Sequence, residues 1–247
     1  MISAVIITKN EERHIGKCLT ALKNVADEIL IVDSFSTDKT VQICREAGAR
    51  VLTNDLRGFG AQKKYGADRA AYDNIISLDA DEILTPEAAS EINAIKQNDF
   101  TAVYEIARIN YYFTGFLSRK EFKKRIFNRR SVNWNDAPVH EELNVPAGYP
   151  IKKLTGIMHH YSYHSVSQFV EKANLYAEMG ANDLFNKNKR SYIFKILFSP
   201  SFAFIQTYIF KGAFVDGFHG LIVSMLNGYA TFLKYVKLRE LCKKRHQ

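Results

Sequence analysis

The sequence predicts an α/β fold, a mostly parallel central sheet flanked by helices, and three observations predict it. Short apolar runs end at polar junctions, helical segments separate those runs, and a basic, aromatic stretch follows them toward the C-terminus. The first run, Ala4-Val5-Ile6-Ile7, passes into Thr8-Lys9-Asn10-Glu11-Glu12, after which Ile15, Cys18, Leu19 and Leu22 mark one helix face. The second, Glu28-Ile29-Leu30-Ile31-Val32, passes into Asp33-Ser34-Phe35-Ser36-Thr37-Asp38, then a helix ending at Gly48 and a third run, Arg50-Val51-Leu52. This β-α-β-α-β alternation implies parallel strands joined by right-handed crossovers. Ligands in such sheets sit beyond the carboxyl ends of the strands, where Thr8 and Asp33 fall.

A further apolar run, Ile75-Ile76-Ser77-Leu78, stops on Asp79-Ala80-Asp81-Glu82. Alternate residues at the frayed end of a strand can aim two carboxylates at one ligand. That pairing suits Mg²⁺ or Mn²⁺, which take oxygen ligands and commonly bridge carboxylates to a diphosphate. In the competing reading, Asp81 caps the helix announced by Thr85-Pro86-Glu87. Between these junctions, Gly58-Phe59-Gly60-Ala61-Gln62-Lys63-Lys64 offers flexible backbone followed by a basic helix start, an arrangement that favours an anion.

The 247 residues suffice for one α/β core with an appended subdomain. Their net charge of +8 is unevenly placed: residues 1–150 carry 20 Lys/Arg against 21 Asp/Glu, and residues 151–247 carry 14 against 5. The basic part is also aromatic, with 12 Phe or Tyr between Tyr192 and Tyr235 interleaved with Lys195, Lys211 and Lys234, and it closes on Lys243-Lys244-Arg245. Such a segment, lacking 18 uninterrupted apolar residues, fits helices lying in a membrane interface better than helices spanning it; the alternative is an ordinary helical cap on the sheet. Nucleic acid is not expected as a partner, because none of the common binding-module motifs is present. Cys18, Cys44 and Cys242 share no metal-ligand spacing and read as reduced thiols. Met1-Ile2-Ser3 passes directly into the first strand without a basic-then-apolar leader, so a cytoplasmic location is expected.

Four ordered motifs carry a resemblance: Val5 through Glu12, Ala26 through Thr40, Gly58 through Lys64, and Ser77 through Glu82. In these the chain resembles the family 2 glycosyltransferases of GT-A fold. Pro138-Val139-His140-Glu141-Glu142 and His159-His160-Tyr161-Ser162-Tyr163 look like a narrower branch, the lipopolysaccharide-core β-1,4-glucosyltransferases. The resemblance implies a GT-A domain over residues 1–165, with a nucleotide-sugar half at 1–100 and an acceptor half at 101–165. Residues 166–247 would follow as a helical extension at the membrane interface.

It implies, further, an inverting transfer of a hexose, glucose from UDP-glucose, onto a lipid-linked saccharide, at the inner face of the cytoplasmic membrane. Thr8 and Asp33 would hold the nucleotide base, Asn10 and Glu11 would lie beside the donor, Lys63 would face its diphosphate, and Asp79 would reach the ribose as well as the cation. Asp81 and His160 would complete the divalent cation's protein ligands. An inverting displacement also requires a carboxylate base near the acceptor hydroxyl. Glu141 is the first candidate, because the branch it resembles carries a Val-His-Glu sequence at this place and Pro138 restrains the chain that presents it, and Asp136 is the second; the common Glu-Asp pair of other family members is absent here. The basic residues Arg119, Lys120, Lys123, Lys124, Arg125, Arg129 and Arg130 read either as a solvated face or as a site for an acceptor phosphate. Alternatives are a transferase of capsule or O-antigen assembly, a sugar-1-phosphate nucleotidyltransferase, and a non-catalytic nucleotide-binding module. The nucleotidyltransferase expects a glycine-rich basic loop after the first strand, which Thr8 through Glu12 lacks.

Overall fold

The computed structural model describes residues 1–56, 58–97, 100–113, 115–135 and 141–244. It divides into two compact units, Met1–Ile109 with Lys120–Tyr161, and Asn110–Arg119 with Ser162–Gln247.

The first unit opens with β1 (Ile2–Thr8), α1 (Ile15–Leu22), β2 (Glu28–Asp33), α2 (Thr40–Glu46), β3 (Arg50–Thr53), α3 (Phe59–Arg69) and β4 (Asn74–Asp79). There follow β5 (Glu82–Leu84), α4 (Pro86–Lys96), β6 (Val103–Tyr112), β7 (Gly115–Phe116), β8 (Glu121–Asn128), the short pair β9 (Asn133–Trp134) and β10 (Leu143–Asn144), and β11 (Ile151–Tyr161). Of these, β7 and the last residues of β6 belong to the second unit. The main sheet runs β3-β2-β1-β4-β8-β6-β11-β5. Its first four strands are parallel, as the alternation of runs and helices predicts. Beyond β4 the sheet turns antiparallel at β8, and it is therefore mixed.

Side-chain alternation sorts the core onto two faces. Ala4, Ile6, Ile31, Ile76 and Leu78 pack toward α1, α2 and α4, whereas Val5, Leu30 and Ile75 pack toward α3 and the β9–β10 pair. Helix α3 approaches closely because Gly66 has no side chain: a Cβ there would lie 2.4 Å from Val5 Cγ1 and 2.8 Å from Val32 Cγ2. Thr85 caps α4, its hydroxyl accepting from the Ala88 N–H at 3.3 Å, with Pro86 at the first helical position. The cap is thus Thr85 rather than Asp81. The register sets Thr8 beside Asp33 and Ile7 beside Asp79, which brings the polar strand ends together along one edge.

In the second unit β7 pairs with the end of β6 through Tyr111 and Phe116. Three helices follow: α5 (Val166–Asn186), capped by Ser165, α6 (Ile193–Ile205) and α7 (Gly217–Lys244). A wide helical turn at Gln206–Phe210 and a tight one at Ala213–Asp216 join α6 to α7, with Gly212 between them at φ +76. The helical C-terminal extension is therefore present, and α6 doubles back along α7.

Candidate active site

Strand β4 ends on Asp79, whose amide donates to Glu82 Oε2 at 3.1 Å and so fixes the turn into β5. Asp79 Oδ1 lies 3.0 Å from Lys63 Nζ, and Asp79 Oδ2 accepts from Arg125 Nη2 at 3.0 Å. Lys63, near the start of α3, also donates to Glu141 Oε1 at 2.5 Å. Arg125 on β8 donates to Glu82 Oε1 at 2.6 Å, and Arg108 on β6 reaches the same oxygen at 3.2 Å while holding Glu121 at 2.8 Å. Charge alternates along this line: Glu141, Lys63, Asp79, Arg125, Glu82, Arg108, Glu121.

Burial explains why the alternation is needed. Lys63 is 1% exposed, Arg125 4% and Glu82 0%, and a buried charge is tolerated only when paired. The Trp134 ring flanks both cations, its centroid 5.0 Å from Lys63 Nζ and 6.0 Å from Arg125 Cζ. Burial pushes the Asp79 carboxyl up, but Lys63 and Arg125 outweigh it and hold the group well below the usual carboxylate range. Burial likewise opposes ionisation of Glu121, yet Lys123 and Arg108 bring it down to about 2. Arg125 is raised above its ordinary value because Glu82 and Asp79 overcome the cost of burying it.

Asp81 lies beside this line at the β4–β5 turn. Its carbonyl accepts from the Tyr161 N–H at 3.0 Å, and its Oδ2 lies 3.5 Å from His160 Nε2. His159 and His160 are strand residues of β11, paired with Ile83 and Glu82. A carboxylate oxygen and an imidazole nitrogen form a donor set that a first-row divalent cation accepts, Mn²⁺ more readily than Mg²⁺. Among the described residues no group of three or more His, Cys, Asp or Glu is placed to hold a metal ion.

At the ends of β1 and β2, Thr8 is buried with its hydroxyl lacking a hydrogen-bond partner among the described residues. Asp33 accepts from the Ser36 amide at 3.0 Å and from the Ser36 hydroxyl at 2.5 Å. Asn10, at φ 54, accepts at Oδ1 from the Thr37 amide at 2.8 Å and donates its own amide to Ser36 Oγ at 2.8 Å. The Glu11 amide donates to Thr40 Oγ1 at 2.8 Å. Asn10 and Glu11 thus lace the loop after β1 to the loop after β2, a structural task the sequence does not announce.

The structure therefore brings Lys63, Asp79 and Glu141 into one cluster, sets Asp81 against His160, and aligns Thr8 with Asp33. Asp136 and His140 lie outside the described residues. The basic run is corrected in part. Arg125 is buried in the ion-pair line, and Arg129 is tied to Asp73 and to the carbonyls of Ala67 and Ala70, so neither belongs to a solvated face. Sequence reasoning missed Arg125, Arg108, Glu82 and Trp134 as neighbours of the acids. The available signal was the Ile126-Phe127 pair directly after Arg125, which marks the cation as part of a strand entering the core.

The profile of glycosyl transferase family 2 matches residues 3–155, and the chain belongs to that family. It is a glycosyltransferase of GT-A fold. It is 33% identical to an uncharacterised glycosyltransferase of Rickettsia typhi, over 97% of this chain and 87% of that protein. It is 30% identical to LpsC of Rhizobium meliloti, a lipopolysaccharide core biosynthesis glycosyltransferase, over 96% of this chain and 91% of the relative. Among solved structures, residues 1–349 of S. aureus TarS align with 100% of this chain and 92% of that one, at a TM-score of 0.49 and 16% identity.

Proposed function

We propose that this chain is a metal-dependent, inverting hexosyltransferase that moves glucose from UDP-glucose to a saccharide of lipopolysaccharide core or a similar lipid-linked glycan. The observation that carries the reading is the Glu141–Lys63–Asp79 cluster, beside the Asp81–His160 pair at the carboxyl edge of the sheet. Resemblance to lipopolysaccharide-core transferases and the likeness to LpsC support the acceptor class. The work would be done at the inner face of the cytoplasmic membrane, where such an acceptor is presented. Residues 1–100 take the donor and residues 101–165 the acceptor.

In this reading Thr8 uses its unpartnered hydroxyl, with Asp33, to bind the nucleotide base. Asp81 and His160, with Asp79, would be the residues to hold Mn²⁺ or Mg²⁺. The chemistry supplied there is neutralisation of charge on the departing diphosphate. Glu141 accepts the proton of the acceptor hydroxyl as its oxygen bonds the anomeric carbon, and the bond to the diphosphate breaks with its electron pair leaving on the nucleotide. Lys63 holds Glu141 in position for that task through their 2.5 Å contact.

The test is turnover, and thermal shift, across a panel of nucleotide sugars with Mn²⁺ present, for the wild type and for Asp81→Ala. UDP-glucose should stabilise the wild type and be consumed, and Asp81→Ala should be folded and inactive, as should the wild type in chelator. Full activity of the variant, or of the wild type in chelator, removes the metal role. A preference for another nucleotide sugar removes glucose.

A further inference from the structure

The second unit is built inside out for a protein in water. The 13 residues of α6 include none that is buried, although most are apolar. Phe194, Phe198 and Phe202 are between 56 and 68% exposed, and Phe210, Phe214 and Phe218, in the turns beyond α6 and at the start of α7, between 54 and 72%. The close approach of α7 to α6 and to the turn after it is made by small residues. Gly220, Ser224 and Gly228 form a stripe at four-residue spacing on α7, all buried. A Cβ at Gly228 would meet the Pro200 carbonyl at 3.1 Å, and one at Gly220 would lie 1.7 Å from the Ala213 carbonyl. Small residues at the contact with large apolar residues outside is the packing of helices whose solvent is lipid. In water, six such exposed Phe mark an interaction site.

Charge identifies the occupant as a bilayer. Residues 187–239 carry eight Lys or Arg, and their one acid, Asp216, accepts from the Ser118 amide and hydroxyl. Lys195 and Lys211, both exposed, bracket the apolar face of α6. An apolar band rimmed by cations complements acyl chains beneath anionic headgroups.

Polar ties at the turn after α6 set the orientation. Asp216 is fixed to Ser118, and Arg119 donates to the Phe210 carbonyl at 3.2 Å, so the turn that follows α6 is anchored in polar structure. The Ile193–Phe210 stretch has the length and composition of a span. A crossing helix would carry this turn, with the Ser118 and Arg119 backbone tied to it, through the hydrocarbon to the far side, whereas a helix lying in the plane leaves it at the headgroups.

We infer that the outer face of α6, with Phe210, Phe214 and Phe218, is a monotopic insertion surface that holds the chain on the membrane by immersion in the acyl region. Apolar burial dominates there and the cations only bias lipid choice. The cations Lys243 and Lys244 are not needed for that immersion, and Arg245 lies outside the described residues. Lys244 pairs with Glu240. The inference rests on the lipid-linked acceptor only for its purpose and not for its geometry.

The experiment is flotation of the full chain with vesicles of neutral phosphatidylcholine, or of phosphatidylcholine with phosphatidylglycerol, at low and high salt. It is run for the wild type and for the double variant Phe198→Glu/Phe202→Glu. Both substitutions fall at exposed positions, and circular dichroism with a thermal melt verifies the fold. The wild type should float with neutral vesicles and stay bound at high salt, and the double variant should lose at least about tenfold in bound fraction. Flotation confined to anionic vesicles and abolished by salt would overturn the proposal in favour of surface cations. A dimer in solution that does not float, and that the double variant dissociates, would overturn it in favour of a second copy of the chain. A monomer that floats nowhere would also overturn it. Donor-dependent thermal shift, measured on the same samples without vesicles, reports the transferase reading separately.

Discussion

At the scale of single residues, Lys63 is the hinge of the site, since one buried ammonium binds Asp79 and Glu141 at once. Glu141→Gln keeps the shape and most hydrogen bonds of the side chain but accepts no proton. Turnover should fall by roughly 10²–10⁴ while donor affinity, read by thermal shift, is retained. Unchanged turnover would move the base elsewhere, with Asp136 next. Lys63→Met should cost stability as well as activity, on the order of 3–5 kcal/mol, because it leaves carboxylates without their buried partner. A denaturant midpoint measures it. The identities of Asp79, Lys63 and Glu141 were legible from motifs. Their mutual contact was not, because 78 positions separate Lys63 from Glu141 and no local pattern reports so distant a pairing.

At the scale of elements, the position of Lys63 depends on how closely α3 lies on the sheet, and Gly66 sets that distance. Gly66→Ala places a methyl within 2.4 Å of Val5 and 2.8 Å of Val32, so the helix must lift or the valines must shift. The expected loss is about 1–3 kcal/mol, with activity lowered further because Lys63 sits one turn away on the same helix. Equilibrium unfolding and turnover of the one variant check both parts. The parallel half of the sheet was readable because β1, β2 and β4 are near-continuous apolar runs, as strands covered on both faces must be. The antiparallel half was not. Strands β6 and β8 carry Glu105, Arg108, Lys123, Lys124 and Arg125 among their apolar residues, and ion pairing replaces hydrophobicity as the reason Arg125 is inside. Strand β11 offers no apolar run at its start, because its first residues, Ile151, Lys152 and Lys153, are exposed.

At the scale of the whole molecule, the electrostatics set an acid limit. Asp27, Glu28 and Glu121 are each opposed by burial, but hydrogen bonds and neighbouring cations, Lys96, Arg50, Lys123 and Arg108 among them, lower all three, Glu121 to about 2. Groups with depressed native values contribute stability above their unfolded values, near 4, and lose it as pH falls through the native ones. Thermal melts across pH should therefore show stability maintained down to about pH 4.5 and falling steadily toward about pH 2. Glu28→Gln should make that fall shallower. Glu28 accepts from the Ala71 amide at 2.6 Å with one oxygen and pairs with Arg50 at 2.7 Å through the other, and Gln keeps only one oxygen and no charge, so the variant should also start from a lower plateau.

The chain has one tryptophan, and it is Trp134, buried against Lys63 and Arg125. Indole emission responds to nearby charge and to water. Every photon of tryptophan emission therefore originates beside the two cations, Lys63 and Arg125. A molecule with several tryptophans would need a label or a substitution to obtain such a signal. This one carries a native optical reporter, and the state of the Lys63–Asp79–Arg125 cluster can be followed in unmodified protein in real time.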